Sequence, residues 1–408
     1  MLKQATPHPP GDHGPLTVLH VTQPVDGGVA RVVTDLVRDQ TAEGLRAVVL
    51  CPPEGPLPPA AAAAGADVLP WPATREPGAG LSRETAGIAR AVRNVRPDLV
   101  HLHSAKAGLA GRLALRGRVP TVFQPHAWSF EAVSGPTAAL ALRWERHAAR
   151  WAHRILCVSD DELWRGREEG VSARFRVIRN GVDLDRFRPV GSTVRRQART
   201  GLATLYGLPQ RAPLVVCVGR LCRQKGQDLL LRAWPEVTAR VPGARLALVG
   251  DGPSQATLRA AAPAGVVFAG ATGDPLPWYA AADVVVQPSR WEGMALAPLE
   301  AMACGRPVLV TDVSGARESL PPGRADTCLV PPGNLPALSG ALAALLLDPG
   351  LRGALSRQAR DHAQAFCDVR RTAAAVRGLY RELLGGEPGG TVTDTRTAGC
   401  EAKELTRR

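Results

Sequence analysis

Two glutamates with seven residues between them, Glu292 and Glu300, lie in the stretch PSRWEGMALAPLEAMACG (288–305). The β-branched run DVVVQPS (283–289) precedes them, Gly293 allows a turn, and Pro298 suits the first turn of the helix that follows. Gly305 and Pro307 end that helix. A strand that turns straight into a helix delivers its loop and the helix N-terminus to the crevice where open α/β sheets hold ligands. There Glu292 can accept from the hydroxyls of a sugar. The free N–H groups of Met294, Ala295 and Leu296 suit a phosphate, and Glu300 can accept from two hydroxyls of a ribose. The competing structural reading is two acids that complement a helix dipole.

Placing these groups requires a repeated strand–helix scaffold, and the chain carries one. Apolar runs read as strands at 16–22, 47–52, 99–103, 121–125 and 154–159, with helical stretches at 28–43 and 81–96 and FRVIRNGVD (175–183) closing the half. A second series begins afresh at 214–220, 245–250, 265–270, 283–289 and 307–312. The expected fold is α/β, two Rossmann-like domains facing a central cleft. A disordered lead-in is expected over 1–14, the first domain over 15–190, a polar Arg-rich linker over 191–212 and the second domain over 213–365. A C-terminal helix over 366–385 can return to the first domain, and a disordered Gly- and Thr-rich tail follows over 386–408.

Composition agrees with two globular domains: 408 residues, 45% hydrophobic, 21% charged. No apolar run approaches the ~18–20 residues of a membrane span, and MLKQATPHPPGDHGP lacks a signal-peptide core, so a cytoplasmic placement is expected. The eight cysteines include no CxxC pair and read as core thiols. The net charge of +13 asks for an anionic partner or a solvated basic face. Nucleic acid is disfavoured, because no aromatics interleave with the arginines and no reading module is present. An anionic membrane surface, at the inner face of the plasma membrane, fits better. Arg90, Arg93, Arg96, Lys106, Arg112, Arg116 and Arg118 face only Asp98 in their segment, and Arg143, Arg146, Arg150 and Arg154 follow at helical spacing.

EGMALAPLEAMACGRPVLVTD resembles the EX7E segment of retaining GT-B glycosyltransferases of the family 4 type. CVGRLCRQKG (217–226) is similar to that family's VGRLxxxKG loop, RNGVDLDRF (179–187) to its NGVDxxxF segment, and TQPVDGGVAR (22–31) to its first strand–loop with paired glycines. The resemblance spans roughly 16–385. It implies that Arg220 and Lys225 grip the donor diphosphate, where negative charge grows as the glycosidic bond breaks. It also implies that Gly27 and Gly28 let backbone approach the donor phosphate or the acceptor. By the same resemblance His126, in QPHAWSF (124–130), meets the donor sugar near its reacting centre. Family members usually carry glycine where this chain has Ala127. Lys106 or Arg112, in HSAKAGLAGR (103–112), would take an acceptor phosphate, although Lys106 also reads as a solvated loop cation and His101 as a plain strand residue.

Two further motifs carry less. Asp183 and Asp185 have DxD spacing but lie in the NGVD segment, without the surroundings of a metal site. Gly250-Asp-Gly252-Pro253 is half a dinucleotide fingerprint and reads as a strand-to-helix turn. The resemblance therefore implies retaining transfer from a nucleotide sugar, UDP-hexose or UDP-N-acetylhexosamine before GDP-mannose, with no metal and no cofactor. The acceptor would be a glycan, a lipid-linked intermediate or a natural product. The alternatives are a nucleotide-sugar 2-epimerase on the same fold, and a basic protein that binds membrane or nucleic acid without chemistry.

Overall fold

A computed structural model describes residues 15–75 and 78–385. The expected lead-in and tail lie outside the described residues. In the first domain the strands are β1 (Thr17–Thr22), β2 (Arg46–Cys51), β3 (Asp67–Pro70), β4 (Leu99–His103), β5 (Thr121–Gln124), β6 (Arg154–Cys157) and β7 (Phe175–Val177). Their spatial order is β3-β2-β1-β4-β5-β6-β7, with parallel pairings. The second domain holds β8 (Leu214–Val218), β9 (Arg245–Val249), β10 (Val266–Gly270), β11 (Val284–Gln287), β12 (Val308–Thr311) and β13 (Leu329–Val330). Their order is β10-β9-β8-β11-β12-β13, again parallel.

Helices cover both faces of each sheet, so the central strands are buried throughout; they are mostly apolar, with His20 on β1 and His101 and His103 on β4 as exceptions. In each sheet the winding reverses beside the first strand, between β1 and β4 and between β8 and β11. These are the points where the strand ends open a crevice for ligands. Strands foreseen from the sequence lie within two residues of their places, apart from 175–183, which pairs only over its first three. The two that the sequence did not show, β3 and β13, are edge strands of four and two residues.

The segment expected as a linker contains a helix, Ser192–Tyr206. Arg195 and Arg199 anchor it on the second domain by pairing with Asp283 at 2.6 and 2.8 Å, just before β11. After the helix Pro349–Phe366, Asp368 bridges to Val182 of the first domain, and the helix Val369–Leu383 packs on the helix Gly27–Ala42. Arg377 pairs there with Asp39 and Glu43. The chain thus crosses the cleft twice.

Candidate active site

At the tip of β11 a polar cluster surrounds Glu292. Gln287 Nε2 donates to Ser289 Oγ at 2.8 Å, Ser289 Oγ donates to Glu292 Oε1 at 2.6 Å, and Lys225 Nζ lies 2.6 Å from the same oxygen. Lys225 ends a short 3-10 turn, Arg223–Lys225, and Gly226 follows with φ +67°. A Cβ at Gly226 would lie 2.0 Å from the Pro288 carbonyl oxygen, so only glycine lets the β8 and β11 loops meet here. Arg220, partly exposed on the β8 loop, makes no ion pair with a described residue. Arg220 and Lys225 stand on the same loop after β8.

The helix Leu296–Ala303 begins directly after this cluster. The N–H groups of Met294, Ala295 and Leu296 donate to no described residue. Glu300 Oε2, deeper in the helix, accepts from the Tyr279 hydroxyl at 2.7 Å. Burial raises the pKa of Glu300 and pushes that of Tyr279 well up. One carboxylate oxygen of Glu300 is therefore held, which fixes the side chain and leaves Oε1 for a ligand.

Across the cleft, the turn after β5 carries His126 and Ala127, both with positive φ, +56° and +107°. Two non-glycine residues in that region store strain, which the surroundings must offset. Glu162 does so: its Oε1 accepts from Ala127 N and its Oε2 from Val158 N, each at 2.7 Å. Burial raises the Glu162 pKa to about 7. The second domain approaches this turn closely. A Cβ at Gly293 would lie 3.0 Å from the His126 carbonyl carbon and 2.8 Å from Val158 Cγ2. Ser159 Oγ donates to the Gly293 carbonyl at 3.0 Å, and Asn180 Nδ2 to that of Met294 at 2.8 Å. A Cβ at Gly28 would lie 3.8 Å from Leu296 Cγ, and Gly27 opens the same helix with nothing within 4 Å of its own. His126, Glu292, Lys225, Gly28 and the start of the Leu296 helix therefore border one cleft.

Lys106 and Arg112 do not. Both lie on the helix Ser104–Leu115 and are buried. Lys106 Nζ pairs with Glu84 at 2.8 Å, the two side chains each 3% exposed. Arg112 pairs with Glu145 at 2.7 Å and stacks on Phe123 with its Cζ 3.9 Å from the ring centroid. Each holds a helix in place, so the expected acceptor-phosphate role is corrected. Asp183 Oδ1 accepts from Asp185 N and Arg186 N, a turn bond, and Asp185 pairs with Arg370. Three residues of the site were not foreseen: Ser289, Tyr279 and Glu162. Ser289 stood in the quoted stretch three positions before Glu292, and that spacing was the available signal. Tyr279 and Glu162 reach the site only through the fold.

The family model described as "Glycosyltransferase Family 4" matches residues 26–186, and the one described as "Glycosyl transferases group 1" matches residues 212–348. The D-inositol 3-phosphate glycosyltransferase of Saccharomonospora viridis is 35% identical over 329 residues, 74% of this chain and 74% of its own. A GDP-mannose-dependent alpha-(1-6)-phosphatidylinositol monomannoside mannosyltransferase of Mycolicibacterium smegmatis is 41% identical over 194 residues, 44% of this chain and 49% of its own. Among solved structures, Anabaena HepE in complex with UDP and glucose superposes with a TM-score of 0.77 at 22% identity, covering 90% of this chain and 100% of that one. That likeness establishes the GT-B fold. With both domains matched in order, this chain belongs to the family 4 glycosyltransferases of GT-B fold.

Proposed function

We propose that this chain transfers a sugar from a nucleotide-sugar donor, with retention at the anomeric carbon and without a metal ion. The observation that carries the reading is the Lys225–Glu292–Ser289 cluster at the tip of β11, set by Gly293 against the His126 turn. In this arrangement Glu292 and His126 contact the donor sugar. Lys225, Arg220 and the N–H groups of Met294, Ala295 and Leu296 take the diphosphate, and Glu300 takes the ribose. The acceptor hydroxyl attacks on the face from which the diphosphate departs, and the departing phosphate takes its proton. Catalysis is then positioning plus stabilisation of the charge on the leaving group.

UDP-hexose or UDP-N-acetylhexosamine is the preferred donor. GDP-mannose comes next, supported by the name of the mycobacterial relative. An inositol phosphate or a lipid-linked glycan is the acceptor class that the relatives' names support. A lipid acceptor would bring the chain to an anionic membrane surface, from the cytoplasmic side. The test is a panel of nucleotide sugars scored by thermal shift and slow donor hydrolysis in excess EDTA. One donor should stabilise the protein and be hydrolysed without metal. A strict Mn²⁺ or Mg²⁺ requirement that Asp185→Ala abolishes would overturn this reading.

A further inference from the structure

We propose that Gln40, His20 and His103 form a directional hydrogen-bond chain that fixes the tautomer of His126, so that His126 presents Nδ1 to the cleft as an acceptor. The proposal rests on the reading that places His126 at the donor sugar. Its starting point is strand register. β1 and β4 pair with His20 opposite His101 and Thr22 opposite His103. Alternate residues of a strand share a face, so the three imidazoles gather on one side of the sheet. All three are fully buried, while His126 is partly exposed where the domains meet.

The nitrogens connect in a line. His126 Nε2 lies 3.2 Å from His103 Nδ1, His103 Nε2 lies 3.0 Å from His20 Nδ1, and His20 Nε2 lies 2.9 Å from Gln40 Oε1. Burial keeps these rings uncharged. It lowers the pKa of His20 to about 4 and that of His126 to about 3, and it holds those of His101 and His103 well below the ordinary value. A neutral imidazole has one donor and one acceptor nitrogen, so one end of the line sets every other bond. Gln40 Oε1 can only accept, so His20 carries its proton on Nε2. His103 must then donate from Nε2 to His20 Nδ1, and His126 from Nε2 to His103 Nδ1. That leaves a lone pair on His126 Nδ1, which makes no hydrogen bond to a described residue.

A turned-over Gln40 amide would reverse the line, and the tautomer of His126 tells the two orientations apart. His101 Nδ1 lies 2.6 Å from the Tyr380 hydroxyl, and His101 Nε2 and Gln124 Oε1 are buried without a hydrogen-bond partner among the described residues. Gln40 Nε2 is buried as well and makes no hydrogen bond to a described residue, so the amide is bonded through its oxygen, at His20. Tyr380 comes from the returning helix Val369–Leu383, so the C-terminal segment meets the histidine cluster through His101. Ligand nitrogens of His20, His101 and His103 lie within 4.8 Å of one another, a spacing that could hold a metal ion. The facing nitrogens of His20 and His103 already satisfy each other.

The experiment is long-range ¹⁵N–¹H NMR of histidine-labelled protein, with His126 assigned by its loss in His126→Gln. The expected spectrum shows a single Nε2–H tautomer for His126, unprotonated down to pH ~5. Gln40→Met should average its two nitrogen shifts and lower kcat by about tenfold or more at unchanged donor KM. A wild-type His126 that carries its proton on Nδ1, or averages between tautomers, overturns the proposal whether or not the variant folds. So does an unaltered tautomer in folded Gln40→Met. Loss of the tautomer with kcat unchanged would sustain the chain and remove His126 from the donor sugar instead.

Discussion

At the tip of β11 the Lys225 ammonium lies 2.6 Å from Glu292 with its side chain only 20% exposed. It is thus largely desolvated before any donor arrives. A cation held this way stabilises a leaving diphosphate far better than one in water. Lys225→Ala should therefore lower kcat about 100-fold, a loss of ~3 kcal/mol, in a variant that still unfolds cooperatively. Steady-state kinetics beside a thermal melt would check both halves. Ala127 offers a test of the opposite sign. At φ +107° its Cβ is strained, and glycine is not. The relief of ~1–3 kcal/mol exceeds the greater chain entropy that glycine adds to the unfolded state. Ala127→Gly should gain about 1 kcal/mol in a urea titration. The resemblance had marked this position, because the family usually has glycine there. Glu292 and Glu300 were legible because one short string held strand, turn, helix start and both acids together, and Lys225 through the resemblance of its own loop. Tyr279 and Glu162 were not, since their partners are neighbours only after folding.

Elements show the same division between what spacing reveals and what register hides. Central strands were legible as short, mainly apolar runs rich in valine and leucine. The edge strands β3 and β13 are short and carry little apolar signal, and the helix Ser192–Tyr206 was hidden by a polar, Arg-rich sequence. Lys106 and Arg112 announced charge but not burial, because Glu84 and Glu145 come from other helices. Lys106→Ala would leave Glu84 buried and unpaired, which costs about 3–5 kcal/mol. The urea midpoint of that variant should collapse; a raised acceptor KM with full stability would restore the acceptor-binding role. The β1–β4 pairing carries a pH dependence as well. His20 has a folded pKa of about 4, below its unfolded 6.5. Its contribution is complete above pH ~6.5 and is lost as pH falls toward 4, since the unfolded chain then binds the extra proton. His20→Phe should flatten the plot of unfolding free energy against pH by about 1 kcal/mol per unit between pH 6 and 5. Glu162, raised to about 7, acts with the opposite sign, so the difference between variant and wild type isolates the histidine.

For the whole molecule, the excess of positive charge must be placed relative to the cleft. Of the seven cations between Arg90 and Arg118, Lys106 and Arg112 are buried in ion pairs, which leaves five exposed arginines. Arg96 and Arg116 are the C-caps of their helices, so this group sits at the N-terminal ends of the strands, away from the cleft. The helix Gly135–Ala148 likewise runs back toward the N-terminal ends of the strands, but its start lies at the β5 end that carries His126. Val133 just before its start and Leu140 (68%) in its second turn are exposed apolar side chains, and the exposed Arg143, Arg146 and Arg150 follow along the helix to its far end. Exposed apolar side chains followed by cations suit the headgroup region of an anionic bilayer. Each nearby cation adds about 1 kcal/mol, so three add about 3 kcal/mol, more than a hundredfold in partition. If the acceptor is a lipid, docking by this helix would turn the cleft toward it. The protein should float with phosphatidylglycerol vesicles and be released as salt approaches ~0.5 M. Leu140→Glu combined with Arg143→Glu should abolish flotation without changing hydrolysis of the free donor, and charge reversal at Arg90, Arg93 and Arg96 should leave flotation intact. The reverse pattern would place the docking face at the far end of the domain, and equal recovery on neutral vesicles would rule out docking by charge. No recovery on either kind would point to a soluble acceptor such as an inositol phosphate.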